Sequence, residues 1–349
     1  AKADVLGLSN PAEVAESRSA YAHMAAFAGS DFAPIQQIRR DLAQDYSPRS
    51  GRNIALANSR AVAGVEWQGF RLGVIQRQEW FAEAQKDTLD LYRNEHLSLN
   101  HEAGKNYAID YHLRGFSATG VQLGKAFRHP LGEQWMLSWG GNISLLNGQK
   151  MRSESWSGNA YATGPQSLTL TVDGTRRYSG LNTIAHTFAP AFRFGNPSGT
   201  GYSVDLGMAL DAPNGMRFAW TIGDAISQMR WTEIPEMSFQ GTNVYNGTFP
   251  GGHKWRVNVR ESLPVKQRLQ WMMPIASADA QLILSDEVLR GTHFPSIGLQ
   301  KDWGANWATK FDYDLRFHSL GLNARYGKLQ MGLRSDKLNW RKARAFGAS

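Results

Sequence analysis

The feature that most constrains this chain is a period of two. Between residues 309 and 319, Phe311, Tyr313, Leu315 and Phe317 alternate with Lys310, Asp312, Asp314, Arg316 and His318. A helix would scatter these side chains around its circumference, whereas a strand puts them on opposite faces, one apolar and one highly charged. The same code recurs at 107–113, 135–145, 202–210, 255–260 and 269–273. Turn signals stand between such runs at Gln68-Gly69, Arg114-Gly115, Asp173-Gly174, Asn196-Pro197, Asn214-Gly215 and Tyr326-Gly327. Segments counted from Arg60 to Ser335 come to about 14, between about 12 and 16 because 225–235 and 280–285 read either way. Repeated hairpins without βαβ spacing predict an all-β, antiparallel meander.

Before residue 55 the pattern changes. Residues 11–28 are Ala-rich, and Ile35, Ile38, Leu42 and Tyr46 recur at helical spacing behind Asp31 as a cap. The chain thus divides into a helical N-terminal plug (1–54), a barrel (55–335) and a basic tail (336–349) carrying Lys337, Arg341, Lys342 and Arg344.

Alternation alone does not separate a soluble sheet from a membrane barrel. The character of the faces does. Trp67 and Phe70 flank one turn, Trp303 and Trp307 another, and Trp135 and Trp139 share a face. Opposite such faces, Lys310, Asp312, Asp314 and Arg316 make a mixed-sign ladder suited to a wet lumen. A single soluble meander of this size would leave edges to protect, whereas closure in a membrane removes them. The expected architecture is a transmembrane antiparallel β-barrel of about 14 strands with a short N-terminal α-helical plug. A 42% hydrophobic content and a mean hydropathy of −0.42 fit it, since only alternate residues would meet lipid.

Composition excludes other classes. With no Cys, disulfides, thiolate metal sites and a cysteine nucleophile are ruled out. The net charge of +8 is mostly dispersed, so no nucleic-acid partner is expected. Opening at Ala1 without a leader, the sequence reads as a mature envelope protein after signal-peptide removal.

The order of elements from Gly201 to Arg334 carries a family resemblance. Gly201-Tyr202-Ser203-Val204-Asp205-Leu206-Gly207 leads to Asp211-Ala212-Pro213-Asn214-Gly215-Met216-Arg217-Phe218. Ser262-Leu263-Pro264, residues 282–286 and 294–303, and a paired final hairpin to Arg334 follow. This succession resembles the FadL (long-chain fatty-acid transporter) superfamily, in particular the branch with PorV-type secretion partners and uncharacterised porin-like proteins. Ser9-Asn10-Pro11-Ala12 is similar to that family's Asn-Pro-Ala element, which starts a hatch inside the barrel. The resemblance implies a Gram-negative outer-membrane location with lipid and lipopolysaccharide as neighbours. One departure is the basic stretch running to Phe346-Gly347-Ala348-Ser349, where outer-membrane chains generally end on an aromatic residue.

Enzymatic signatures are weak. No G-x-S-x-G elbow occurs. Asp110 and His112 share a strand face near Ser117, which permits a Ser/His/Asp reading, but paired lumen residues explain them better. His96 and His101 with Glu95 and Glu102 lie in a polar stretch, 83–104, that reads as a surface loop rather than a metal site. No cofactor, metal or catalysis is expected. The lumen is expected to be lined by Asp110, His112, Arg256, Arg260, Arg268, Lys310, Asp312, Asp314 and Arg316, with Lys266 adding to a positive field that concentrates anions. The plug is assigned to Ile35, Ile38, Leu42 and Tyr46. Two functions follow: passive uptake of small hydrophobic or amphipathic carboxylates through a plugged lumen, or a non-transporting barrel that assists a secretion or surface-assembly complex.

Overall fold

A computed structural model describes residues 5–14, 18–38, 42, 45–132, 134–179, 199–245, 253–304 and 306–349. The predicted turn at Asn196-Pro197 lies outside them. Their strands are β1 (Arg18–Ser30), β2 (Arg52–Trp67), β3 (Phe70–Gln85), β4 (Asn106–Leu131), β5 (Trp135–Gly164), β6 (Ser167–Ser179), β7 (Gly199–Asp211) and β8 (Arg217–Tyr245). The second half holds β9 (His253–Glu261), β10 (Lys266–Ile275), β11 (Ala280–Leu289), β12 (Thr292–Asp302), β13 (Trp307–Asp314), β14 (Ser319–Tyr326), β15 (Leu329–Ser335) and β16 (Ala345–Ala348). All pair antiparallel in one sheet. β6 and β7 are two lengths of one wall position, pairing in turn with β5, and β9 and β10 likewise share the position beside β8. The result is a closed barrel of 14 strand positions, as the alternation predicts.

Closure differs from expectation at both ends of the chain. Residues 18–30 form strand β1, not helix, and pair residue by residue with β2. Alanine carries no periodicity of its own, so an Ala-rich strand reads as helix until its partner is known. The tail is no appendage either. Arg344 donates to the carbonyls of Asp31 and Asp45, and Ala345–Ala348 then enter between β15 and β1. Of the predicted hairpin turns, Gln68-Gly69, Asn214-Gly215 and Tyr326-Gly327 are turns, with Gln68 and Gly69 both at positive φ (48° and 79°). Arg114-Gly115 and Asp173-Gly174 lie inside strands.

The barrel is inside out relative to a water-soluble one. Val65, Leu72, Leu123, Leu145, Leu299 and Leu322 are exposed on its outside, while Gln122, Asn142, Ser144, Arg268, Asp312 and Asn323 are buried within. Trp67, Phe70, Trp135, Trp303, Trp307 and Tyr326 ring the end of tight turns. The opposite end carries the long connections, 31–51, 86–105 and 336–344. Wall height is uneven. β5 has 30 residues and β15 has 7, spans of about 100 Å and about 23 Å at roughly 3.3 Å per residue.

At the long-loop end, α1 (Ile35–Ile38) and α2 (Lys86–His96) lie against the outside of the wall. Ile38, Leu42 and Tyr46 pack with Phe32, Ala55, Ala84 and Leu89, and Ile35 with Ala28 and Ala57. These alanines alternate with Ile54, Leu56 and Phe81, whose side chains point inward, so the residues assigned to the plug clasp the outer face instead. The expected loop at 83–104 contains α2. Tyr46 Oη donates to Asp90 Oδ1 and Lys86 Nζ to Asp90 Oδ2, each at 2.7 Å. Burial, and then the Asp90 bond, push the Tyr46 phenol's pKa up.

Replacing Tyr46 with Phe removes one charge-assisted hydrogen bond, about 1.5–3 kcal/mol, and is expected to speed limited proteolysis at 31–51. Because the phenol's pKa is raised on folding, its contribution is full below the free phenol's ordinary value of 10.0 and is lost as pH climbs through the raised value. A proteolysis rate that already rises between pH 7 and 9 would contradict this.

Candidate functional site

The lumen is filled by the N-terminal segment, residues 5–14. Val5, Leu6 and Leu8 are buried with Ile54, Leu56, Phe81, Leu289, Phe294 and Phe317. Leu6 N donates to Glu287 Oε2 at 2.7 Å, Asn58 Nδ2 to Val5 O, and Asn10 Nδ2 to Met208 O at 3.1 Å. The segment is therefore held by β2, β7 and β11 together. Two wall glycines make room for it. A Cβ on Gly207 would stand 2.0 Å from Asn10 Oδ1, and one on Gly223 would stand 2.5 Å from Leu8 Cδ2.

Beneath the plug lies a cluster of buried charge. Asp224 occupies a bulge in β8 at φ 56°, and receives Arg77 through two bonds at 2.8 and 2.7 Å. Ser203 Oγ also donates to it, at 2.6 Å. Arg77 and Lys266 both reach Glu79 at 2.6 Å, Lys266 is 3.1 Å from Asp224, and Arg60 is 3.5 Å from Asp205. Three cations meet three carboxylates, so this part of the lumen has no net charge.

A narrow recess of about 40 Å³ adjoins the plug. Leu6, Leu56, Phe81, Phe116, Leu263 and Leu289 give it an apolar lining, with Arg114, Glu79, Glu261 and Lys266 as polar groups. It reaches the wall where Ser262–Val265 interrupt the strand position of β9 and β10. Arg114 Nη1 donates across the lumen to Ser262 O at 3.1 Å, and its Nη2 lies 3.3 Å from Glu261.

The predicted lining residues separate into three groups. Arg268, Lys310, Asp312 and Asp314 are buried inside, where Arg268 faces Glu287 at 4.0 Å, and Asp312 meets Arg334 and, at 3.5 Å, Lys310. Asp110 and His112 line the inner face at the lumen's long-loop mouth, in register with Arg114 two and four residues on. Arg316 stands at the rim of the inner face, its guanidinium 5.6 Å over the ring of Phe294, whereas Arg256 and Arg260 do not line the lumen. Val259 and Glu261 are the inward residues of β9, packing on Trp231 and bonding to it, so Arg256 and Arg260 point outward. Both are exposed on the outer side of the wall. Arg316 follows the end of β13 and donates to Asp31 Oδ2 at 2.6 Å, fastening the 314–319 turn to the start of the β1–β2 connection.

The expected positive field is thus offset by acids that the sequence reading did not assign to the lumen. Arg77 and Glu79 escaped it because Gln76 and Gln78 separate them, leaving no apolar alternate face to mark the inward one. Tyr92 and His96 stack within α2, and His101 Nε2 is 2.7 Å from Glu95, holding the segment after α2 onto that helix. Among the described residues no group of three or more ligating side chains surrounds a metal position.

No family model matches the sequence, and no curated protein matches it. Among solved structures, the TodX deltaS2S3 mutant monoaromatic hydrocarbon channel is similar at a TM-score of 0.46 and 8% identity, over 97% of this chain and 91% of that one.

Two variants test the site. Asp224→Ala leaves Arg77 and Lys266 short of a buried counter-charge and is expected to destabilise the barrel by about 3–5 kcal/mol, read as an earlier midpoint in urea unfolding. Gly207→Leu is expected to displace Asn10 and Pro11 while keeping the wall, so that a protease cleaves residues 5–14 in the variant alone. Equal protection in both proteins would show that Gly207 does not hold the plug's place.

Proposed function

We propose that this chain is a bacterial outer-membrane barrel that admits small hydrophobic or amphipathic molecules, carboxylates among them, through a lumen gated by residues 5–14. The observation that carries the reading is the apolar recess beside Leu6, inside a barrel whose exposed surface is itself apolar. A membrane accounts for the second feature: bilayer-spanning strands need about 9–11 residues, which the exposed apolar run from Trp135 to Leu145 on β5 supplies. The aromatic ring at the tight-turn end fits a bilayer interface. The recess suits an alkyl or aryl body, and Arg114 at its rim suits a carboxylate head, with Glu261 yielding its place. The element order of residues 201–334 supports the same reading.

The charge-balanced cluster beneath the plug favours a second reading, a closed barrel that assists a secretion or surface-assembly complex. Planar-bilayer recordings separate the two. Removing residues 5–14 is expected to raise conductance at least several-fold over the intact chain, and octanoate or toluene is expected to quench Trp fluorescence of the detergent-solubilised protein. No conductance in either form, no ligand response and a stoichiometric protein partner in pull-down would favour the second. Leu145→Arg is expected to cost about 2–4 kcal/mol in bilayer refolding, seen as lost heat-modifiable gel migration; unchanged refolding would sink the membrane reading.

A further inference from the structure

Asp110, His112 and Ser155 meet at the mouth of the lumen. His112 of β4 is the direct cross-strand partner of Ser155 of β5. Ser155 Oγ is 3.1 Å from His112 Nδ1, and His112 Nε2 is 3.3 Å from Asp110 Oδ1. A carboxylate only accepts, so the imidazole proton belongs on Nε2, facing Asp110. Nδ1 is then free to accept the proton of the Ser155 hydroxyl. A nucleophile within reach of a base, and that base oriented by a third group, is the arrangement that activates serine. It uses Ser155, not the Ser117 that the sequence brings to mind, because Ser117 lies on the other face of β4 and bonds Gln149.

The surroundings favour these roles. β3 ends before it can pair with residue 110, and α2 takes its place: Thr88 Oγ1 accepts from Asp110 N at 2.9 Å and donates to Ala108 O at 3.1 Å. Asp110 is thus fixed through its backbone while its side chain stays at the mouth. Glu83 of β3, opposite His112, is the rival carboxylate, but Arg52 and Arg290 hold it at 3.4 and 3.2 Å. Arg114 lies two residues, about 7 Å, further along the same face, at the rim of the apolar recess.

We propose that Ser155 and His112 are catalytic residues, positioned by Asp110, of an esterase site that cleaves carboxylic esters whose acyl chain occupies the recess. Ser155 Oγ attacks the ester carbonyl as its proton passes to His112 Nδ1. The C–O bond to the alcohol breaks, and the departing alkoxide takes that proton. Water, activated by the same nitrogen, then attacks the acyl carbon; the bond to Oγ breaks, the proton returns to Ser155, and the carboxylic acid leaves. The inference rests on the recess described above, and on no passage through the barrel.

The test uses the full chain in detergent with a fluorophosphonate probe and p-nitrophenyl acetate and octanoate. Ser155 is expected to be the labelled residue, with octanoate cleaved faster than acetate. Ser155→Ala and His112→Ala are expected to lower hydrolysis by about 10³-fold or more and Asp110→Asn by up to about 10⁴-fold, while Ser157→Ala on the same face retains full rate. Heat-modifiable migration of each variant verifies its barrel. Label on Ser155 that does not depend on His112, or hydrolysis that persists in Ser155→Ala, overturns the proposal, as does absence of both in a folded protein. Labelling without conductance leaves the esterase standing and removes the channel; conductance without labelling does the reverse.

Discussion

Every strand edge in this molecule has to find a partner, and the rest of the structure depends on how the last edge finds one. A sheet of 14 positions with its apolar side outward has no core to hide its rims; only the ring formed when Ala345–Ala348 enter between β15 and β1 keeps their amide and carbonyl groups from open exposure. Once the ring exists, outward and inward faces are defined for every residue, and the chemistry sorts accordingly. Side chains that a water-soluble protein would bury are outside, and charges such as Arg77, Glu79 and Asp224 are inside, where each needs a counterpart.

That need explains the lumen's composition better than ion attraction does. Arg77, Lys266 and Arg60 sit against Asp224, Glu79 and Asp205 because an unpaired charge there would lack both water and a counter-ion. The same logic makes the recess distinct: it is the part of the interior where leucine and phenylalanine line space rather than fill it, and its polar groups gather at the rim. Binding and the proposed ester chemistry both draw on that contrast between a greasy pocket and a wet mouth.

Much of this was legible in the sequence. Phe311 and Tyr313 against Lys310 and Asp312 announce a two-faced strand before any coordinate is known, and the hairpin spacing carries the strand number. What escaped did so for physical reasons. Residues 18–30 hold five alanines and a glycine, so their face is assigned by β2 rather than by themselves. Arg256 and Arg260 obey alternation, but alternation does not say which face is the inner one, and in β9 it is Val259 and Glu261 that face Trp231. Ser155 and His112 are 43 positions apart and meet only through strand register, which is set by the whole β4–β5 pairing, including its bulge beside Ser117.

The plug also dictates an order of assembly. Leu6 is bonded to Glu287, 281 positions away, and Asn10 to the carbonyl of Met208, while the strand that completes the ring lies at the other end of the chain. A segment held from several sides cannot be threaded into a finished cylinder without first breaking those contacts around it. The simplest route has the first residues settle against the growing sheet and the wall then curl about them, so that the last strand to dock also locks the stopper in place.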